Sequence, residues 1–217
     1  MDSAGKKHEE SKNMEEKKHL FLDGDRFIEP KEHQEVVNVL VANKDIILKE
    51  LKNLLNNDTD WSVVHGVGVK LEDKNEDILE RLNKIKRNPE KEKEIWTLFG
   101  LILDTDEIEK NIFQTPKTRE ILRRIPNLLN AGFSCLTPNT STRIHNEADK
   151  GLHRIHLPLI IPEGDCAIQV QDEIKKWHGC KDVLIFDNRK WHNAWNYTGK
   201  PRYVLIVDVL RSRNYEN

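Results

Sequence analysis

The sequence predicts a mainly β protein with some α, in which a sandwich or barrel of short strands is carried on a helix-rich N-terminal half. Three observations predict it. From Ala131 to Arg211 the chain falls into short apolar, β-branched runs separated by Pro, Gly, Asn and Asp clusters, the pattern of an all-β sandwich or barrel. Upstream, residues 31–56 carry their apolar side chains at helical spacing instead. The chain has 217 residues, 37% of them hydrophobic, enough for one domain with a real core.

Residues 1–19 hold five Lys and five acidic residues and no Leu, Ile, Val or aromatic. With nothing to bury, such a segment cannot offset its ordering entropy and reads as a disordered charged tail. Residues 20–217 form the single domain. LFLDGDRFI, from Leu20, reads as a short strand or entry loop. Val36, Val37, Leu40, Ile47, Leu48, Leu51, Leu54 and Leu55 make one broad apolar stripe, so 31–56 is a helix, stopped by Asn56-Asn57-Asp58. WSVVHGVGVKL is Val-rich, lies between turn formers and reads as a strand; a charged helix over 75–87 ends at Asn88-Pro89. EIWTLFGLIL, 94–103, is a buried strand. Residues 105–113 and 117–124 are short helices on either side of Thr115-Pro116, where Pro suits a first helical turn. Seven strand candidates follow: GFSCLT, LHRIHLPLII, AIQVQ, EIKKW, VLIF, WHNAW and RYVLIVDVL. The support thus covers 20–130 and the β core 131–211.

Thirty-five Lys+Arg against 37 Asp+Glu give a formal charge of −2, which argues against a nucleic-acid partner. Three cysteines, Cys135, Cys166 and Cys180, make no disulfide framework and suit a reducing compartment. No apolar run approaches the roughly 18–20 residues needed to span a bilayer, and the first residues contain no apolar stretch of the secretory kind. The expectation is a cytoplasmic protein without a membrane span.

In the β half, His145-Asn146-Glu147 comes first. Residues i and i+2 of a strand point to one side, so an imidazole and a carboxylate can address one metal ion. His192, directly after the strand VLIFDN, completes a two-His-one-carboxylate set, which suits a non-haem Fe(II) oxygenase. Taken alone, His-x-Glu is far more often a solvated surface pair; Asp149 sits one pleat further along and is the weaker third ligand. Arg202 heads the last strand, on one face with Val204, Ile206 and Asp208. A guanidinium among branched apolar residues calls for an anion. Either an Asp or Glu side chain or a dicarboxylate ligand can supply it, the latter through a bidentate fork. In LHRIHLPLII, Arg154 and His156 share a face. His178 and Cys180 with Cys166 lack the paired spacing of a zinc knuckle and read as a turn.

Together, the phrases TPKTREILRRIP, GFSCLTPNT, HRIHLPLIIPEG, VLIFDNRKWHNAWN and RYVLIVDVLR resemble the aspartyl/asparaginyl β-hydroxylase family of Fe(II)/2-oxoglutarate oxygenases, over about Trp96 to Arg211. The resemblance implies a double-stranded β-helix of the jelly-roll, cupin-like kind. It implies that His145 and His192 ligate iron, that Arg202 clamps the distal carboxylate of 2-oxoglutarate with help from Ser134, that His156 lies near the other carboxylate, and that Arg154 is on the substrate side. Trp195 matches an aromatic position best explained by core packing.

Two departures matter. Animal protein-modifying members have Gly where this chain has Glu147, so a full triad with Glu147 is expected here. Their cationic substrate-holding segment corresponds to WTLFGLILD, which is apolar between Phe99 and Leu103, so an epidermal-growth-factor-like domain is not the expected substrate. The implied activity is hydroxylation of an unactivated C–H bond with Fe(2+), 2-oxoglutarate and O2, on an amino acid or amino-acid-derived small molecule. The alternatives are a fatty-acyl chain of a lipid, and a non-catalytic β-helix that binds a ligand or metal. Halogenation is disfavoured, because Glu147 as ligand leaves no room for chloride. The sequence leaves the oligomeric state open.

Overall fold

The structure, a computed structural model, describes residues 24–57, 59, 61–63, 96–147, 151–178 and 182–211. After a loop from Gly24 and a 3-10 turn at Pro30–His33 come helices α1 (Gln34–Ala42) and α2 (Lys44–Asn56). Strands β1 (Ser62–Val63), β2 (Trp96–Leu103) and β3 (Asp106–Glu107) precede helices α3 (Glu109–Ile112) and α4 (Pro116–Leu122). The β region then runs through β4 (Leu128–Leu136), β5 (Thr140–Ser141), β6 (Leu152–Ile160), β7 (Cys166–Val170), β8 (Glu173–Lys176), β9 (Leu184–Asp187), β10 (His192–Asn196) and β11 (Arg202–Leu210).

Among the described residues these strands make two antiparallel sheets. The larger has the order β1-β2-β4-β11-β6-β9, with β3 added to β2; the smaller has the order β5-β10-β7-β8. β11 lies centrally, between β4 and β6. Strand alternation sends its Leu205, Val207 and Val209 to one side and Val204 and Ile206 to the other. The first set packs under the helical layer, with Leu40, Ile47, Leu51 and Leu122. The second set meets Ile168, Val170 and Ala194 of the smaller sheet. RYVLIVDVL is therefore nearly continuously apolar because both of its faces are covered. The sheets face each other as a double-stranded β-helix, the expected fold class.

All seven expected C-terminal strands form, and β5 is an eighth element that the sequence reading left out. The long helix is broken: Asn43 has φ −112° and bonds Val39 O through its side-chain amide at 2.7 Å, taking a carbonyl that a continuous helix would use. Residues 105–108 are not helical; β3 pairs back on β2. Pro116 opens α4 as expected. The buried Glu50 of α2 accepts the Lys117 and Thr118 amides at 2.9 and 2.7 Å, satisfying N–H groups that a helix start leaves unpaired. Gly24–Ile28 is an entry loop. Lys190 Nζ donates to the carbonyls of Gly24 and Asp25, and the Phe27 ring meets Phe186 edge-on at 6.4 Å. The expected tail 1–19, the helix 75–87, most of the strand from Trp61, Asp149 and Cys180 lie outside the described residues. No helix among the described residues is long and apolar enough to cross a membrane.

Candidate active site

Register across the larger sheet decides which side chains meet. Val204 pairs with Ser134, Ile206 with His156 and Asp208 with Arg154. Ser134, Arg154, His156 and Arg202 therefore point to the inner side together, toward β10. Across the interior, His145 and His192 form an isolated antiparallel bridge, with amide-to-carbonyl distances of 3.0 and 2.8 Å, and their ring centroids are 4.3 Å apart. One cavity is lined by Ser134, His145, Arg154, His156, His192 and Arg202. Ile168, Phe186 and Ile206 give it apolar walls. Six of the seven residues singled out from the sequence thus share one space.

The two imidazoles are prepared in the same way. His145 Nδ1 lies 2.7 Å from Arg143 O, and His192 Nδ1 lies 2.7 Å from Lys190 O. A carbonyl only accepts, so each Nδ1 carries the proton and each neutral ring keeps its lone pair on Nε2. His192 Nε2 is buried without a partner. Burial pushes the His145 imidazole below its ordinary pKa. His192 is pushed well below, by burial first and then by His145 and Arg154. Two neutral nitrogens on one cavity wall are what a divalent cation requires of histidine.

Arg202 is 1% exposed, and its Nε and Nη1 have no hydrogen-bond partner. No Asp or Glu pairs with it among the described residues. The alternative source of its anion, a protein carboxylate, is therefore not present there. Burial lowers the pKa of its guanidinium. Ser134 Oγ accepts the Trp96 indole N–H at 2.9 Å, which leaves its own hydroxyl hydrogen to give. Both ring nitrogens of buried His156 are also unpartnered; its pKa is well below the ordinary value because of burial, then Arg202 and Arg154. Buried polar atoms are rarely left unpaired, and five of them, on His156, His192 and Arg202, converge on one cavity.

Arg154 is otherwise placed. Its Nε and Nη2 fork onto Asp208 Oδ1 and Oδ2 at 2.7 and 2.8 Å, and Nη1 reaches Glu147 Oε1 at 2.7 Å. Burial works against its charge, but Asp208 and then Glu147 outweigh that and raise its pKa. Asp208 also accepts from Asn130 Nδ2 at 3.2 Å.

The structure does not bring Glu147 to the imidazole pair. With Oε1 on Arg154, its Oε2 accepts from Asn188 Nδ2 at 3.2 Å, and no cluster of three or more His, Cys, Asp or Glu suited to a metal occurs among the described residues. The physical reason is local. The same-side rule for i and i+2 holds within a strand, whereas β5 ends at Ser141, His145 makes a single bridge, and residues 146–147 are not in a strand.

Three contributors escaped the sequence reading: Trp96, which holds Ser134; Asn188, which ties Glu147 to Leu152; and Trp177. The Trp177 ring is 5.5 Å from Arg202 Cζ and lies 13° from parallel with His156. No spacing rule links positions 177 and 202, since the contact is made across the barrel. Trp195 packs in the other direction, its indole N–H donating to Asp165 Oδ1 at 3.1 Å.

The profile of the Aspartyl/Asparaginyl beta-hydroxylase family matches residues 41–212. An ornithine lipid ester-linked acyl 2-hydroxylase of Rhizobium tropici is 37% identical over 118 residues, 54% of this chain and 42% of that protein. The human aspartyl/asparaginyl beta-hydroxylase is 32% identical over 124 residues, 55% of this chain and 16% of that protein. The matched part of the chain thus spans less than half the length of either relative. Among solved structures, a 2OG-Fe(II) oxygenase family oxidoreductase from Burkholderia pseudomallei aligns at TM-score 0.41 and 10% identity, over 54% of this chain and 67% of that one.

Proposed function

The chain belongs to the aspartyl/asparaginyl β-hydroxylase family, and from that premise we propose that it is an Fe(II)- and 2-oxoglutarate-dependent hydroxylase. One observation carries the reading: a fully buried guanidinium without a carboxylate partner among the described residues shares a cavity with two neutral imidazoles. An unpaired buried cation is costly, and an anionic ligand relieves that cost.

The residues fit both groups. His145 and His192 would hold the metal through Nε2, with Nδ1 fixed on Arg143 and Lys190 carbonyls. Imidazole nitrogen suits Fe(II), though not Fe(II) alone. Arg202 and the Ser134 hydroxyl would hold one carboxylate of 2-oxoglutarate, and His156 faces the same space. When bound, iron with 2-oxoglutarate and O2 supplies the oxidising power to hydroxylate an unactivated C–H bond. This chain's own residues bind, orient and exclude water: Ile168, Phe186 and Ile206 line the cavity with apolar surface, so few competing hydrogen-bond partners surround the reacting groups. Glu147 is assigned to Arg154, which it holds on the side opposite Asp208.

For the substrate we propose an amino-acid-derived small molecule or an acyl chain. The apolar walls and the name of the bacterial relative favour the acyl chain; the name of the human relative favours the amino acid. The test is anaerobic loading with iron and 2-oxoglutarate, admission of O2, and assay of succinate with an ornithine-bearing lipid or a free amino acid added. Succinate formation that needs both iron and 2-oxoglutarate supports the reading, and the compound that accelerates it identifies the substrate class. A protein that binds neither would be a non-catalytic member.

A further inference from the structure

Arg202 keeps its charge inside the barrel without a carboxylate partner among the described residues, and the compensation comes from an aromatic ring. Trp177 directly follows β8 and is 5% exposed. Its ring centroid lies 5.5 Å from Arg202 Cζ, and the His156 ring stacks against it at 6.1 Å, 13° from parallel. The face of an indole carries partial negative charge and stabilises a guanidinium. It differs from a carboxylate in one decisive way: it takes none of the N–H groups. Nε and Nη1 of Arg202 stay free, whereas an Asp or Glu at this place would neutralise the cation and fill its fork. Trp177 does not line the cavity itself; it supports two residues that do.

We propose that Trp177 is a positioning residue for carboxylate recognition, holding Arg202 charged and its donor fork open so that the anionic ligand completes the pairing. The inference rests on the functional reading above, in which that ligand is 2-oxoglutarate. By the same logic Trp177 governs the affinity for the dicarboxylate and leaves the metal site, built on β10 and the bridge at His145, unaffected.

The experiment measures 2-oxoglutarate binding calorimetrically to Mn(II)-loaded protein without O2, and Mn(II) binding by electron paramagnetic resonance without 2-oxoglutarate, for the wild type, Trp177→Leu and Trp177→Phe. Losing a desolvated cation–π contact should weaken 2-oxoglutarate binding about 5- to 30-fold in Trp177→Leu. Trp177→Phe, which keeps a ring face, should recover part of that loss, and the Mn(II) affinity should stay within about twofold of wild type in both, because neither imidazole is touched. Should Trp177→Leu fail to fold, Trp177→Phe alone decides, with an expected loss of about 2- to 5-fold from the weaker ring. Wild-type affinity for 2-oxoglutarate in the variants, equal losses in Leu and Phe, or a parallel loss of Mn(II) would overturn the inference. A wild type that binds Mn(II) but not 2-oxoglutarate would instead overturn the functional reading on which it rests.

Discussion

Replacing Arg202 by Met removes a buried cation while keeping an unbranched side chain of similar reach. In the free protein the guanidinium is 1% exposed, with Nε and Nη1 unpaired. Its burial costs several kcal/mol, of which the Trp177 ring at 5.5 Å returns about 2 kcal/mol at most. The variant without ligand should therefore be more stable than wild type by about 1–3 kcal/mol. At roughly 2–4 °C per kcal/mol for a protein of this size, Tm should rise by about 2–12 °C. The response to ligand should reverse. At 100 times Kd, 2-oxoglutarate should stabilise the metal-loaded wild type by about 2.7 kcal/mol. Removing one partner of a buried charged pair costs about 2–5 kcal/mol, so the same concentration should stabilise the variant by about 0.9 kcal/mol at most, a third or less of the wild-type shift. Scanning calorimetry of both proteins, with Mn(II) and with or without 2-oxoglutarate, reads both quantities. A variant that melts below wild type yet keeps the ligand shift would refute the reasoning, since Arg202 would then be a structural residue with its charge already satisfied.

His145→Ala and His192→Ala should each reduce Co(II) affinity by orders of magnitude in a spectroscopic titration, because one remaining imidazole cannot retain a labile divalent ion; unchanged affinity in both would remove the metal site. Glu147→Gln should leave Co(II) affinity within a few-fold, while weakening the hold on Arg154. Since the Glu147 side chain is 26% exposed, the stability cost should be about 1–2 kcal/mol by urea denaturation; a collapse of Co(II) binding would return Glu147 to the ligand set. The contact between the helical layer and β6 predicts a pH effect. His33 Nε2 and His153 Nδ1 are 2.7 Å apart; burial, then His33, brings His153 down to about 4, and burial lowers His33 too. The unfolded chain then binds more protons than the folded one between about pH 6.5 and 4. This stability is present above pH 6.5 and is lost as pH falls through that window, on the order of 1–2 kcal/mol after solvent screening. The Tm of His153→Gln should fall less steeply than wild type from pH 7 to 5, and parallel curves would dismiss the pair as the cause.

Periodicity was sufficient for every C-terminal strand but β5, and the family resemblance gathered the candidate site residues, six of which line one cavity. RYVLIVDVL was legible as a strand, and the Arg at its head as a group that needs an anion from either a side chain or a ligand, because the cost of an unpaired buried charge acts on any chain in the same way; that both faces of the strand are covered is seen only in the structure. The strand pattern and the family resemblance together picked out His145 and His192 as candidate metal ligands, and both line one cavity. The tertiary structure alone decided which partner each of these groups meets. Glu147 sits two residues from His145, yet its carboxylate goes to Arg154 and Asn188, because the backbone leaves strand geometry between them. The stripe over 31–56 correctly marked a buried face but not the break at Asn43, where a side-chain amide competes locally for the Val39 carbonyl. Trp177, just past the end of β8, meets Arg202 of β11 on the other sheet, and His33 and His153 are 120 positions apart. Alternation determines the face to which a side chain points, but what stands opposite that face depends on how the sheets close and where the helices dock, and those distances are set by packing of the whole chain.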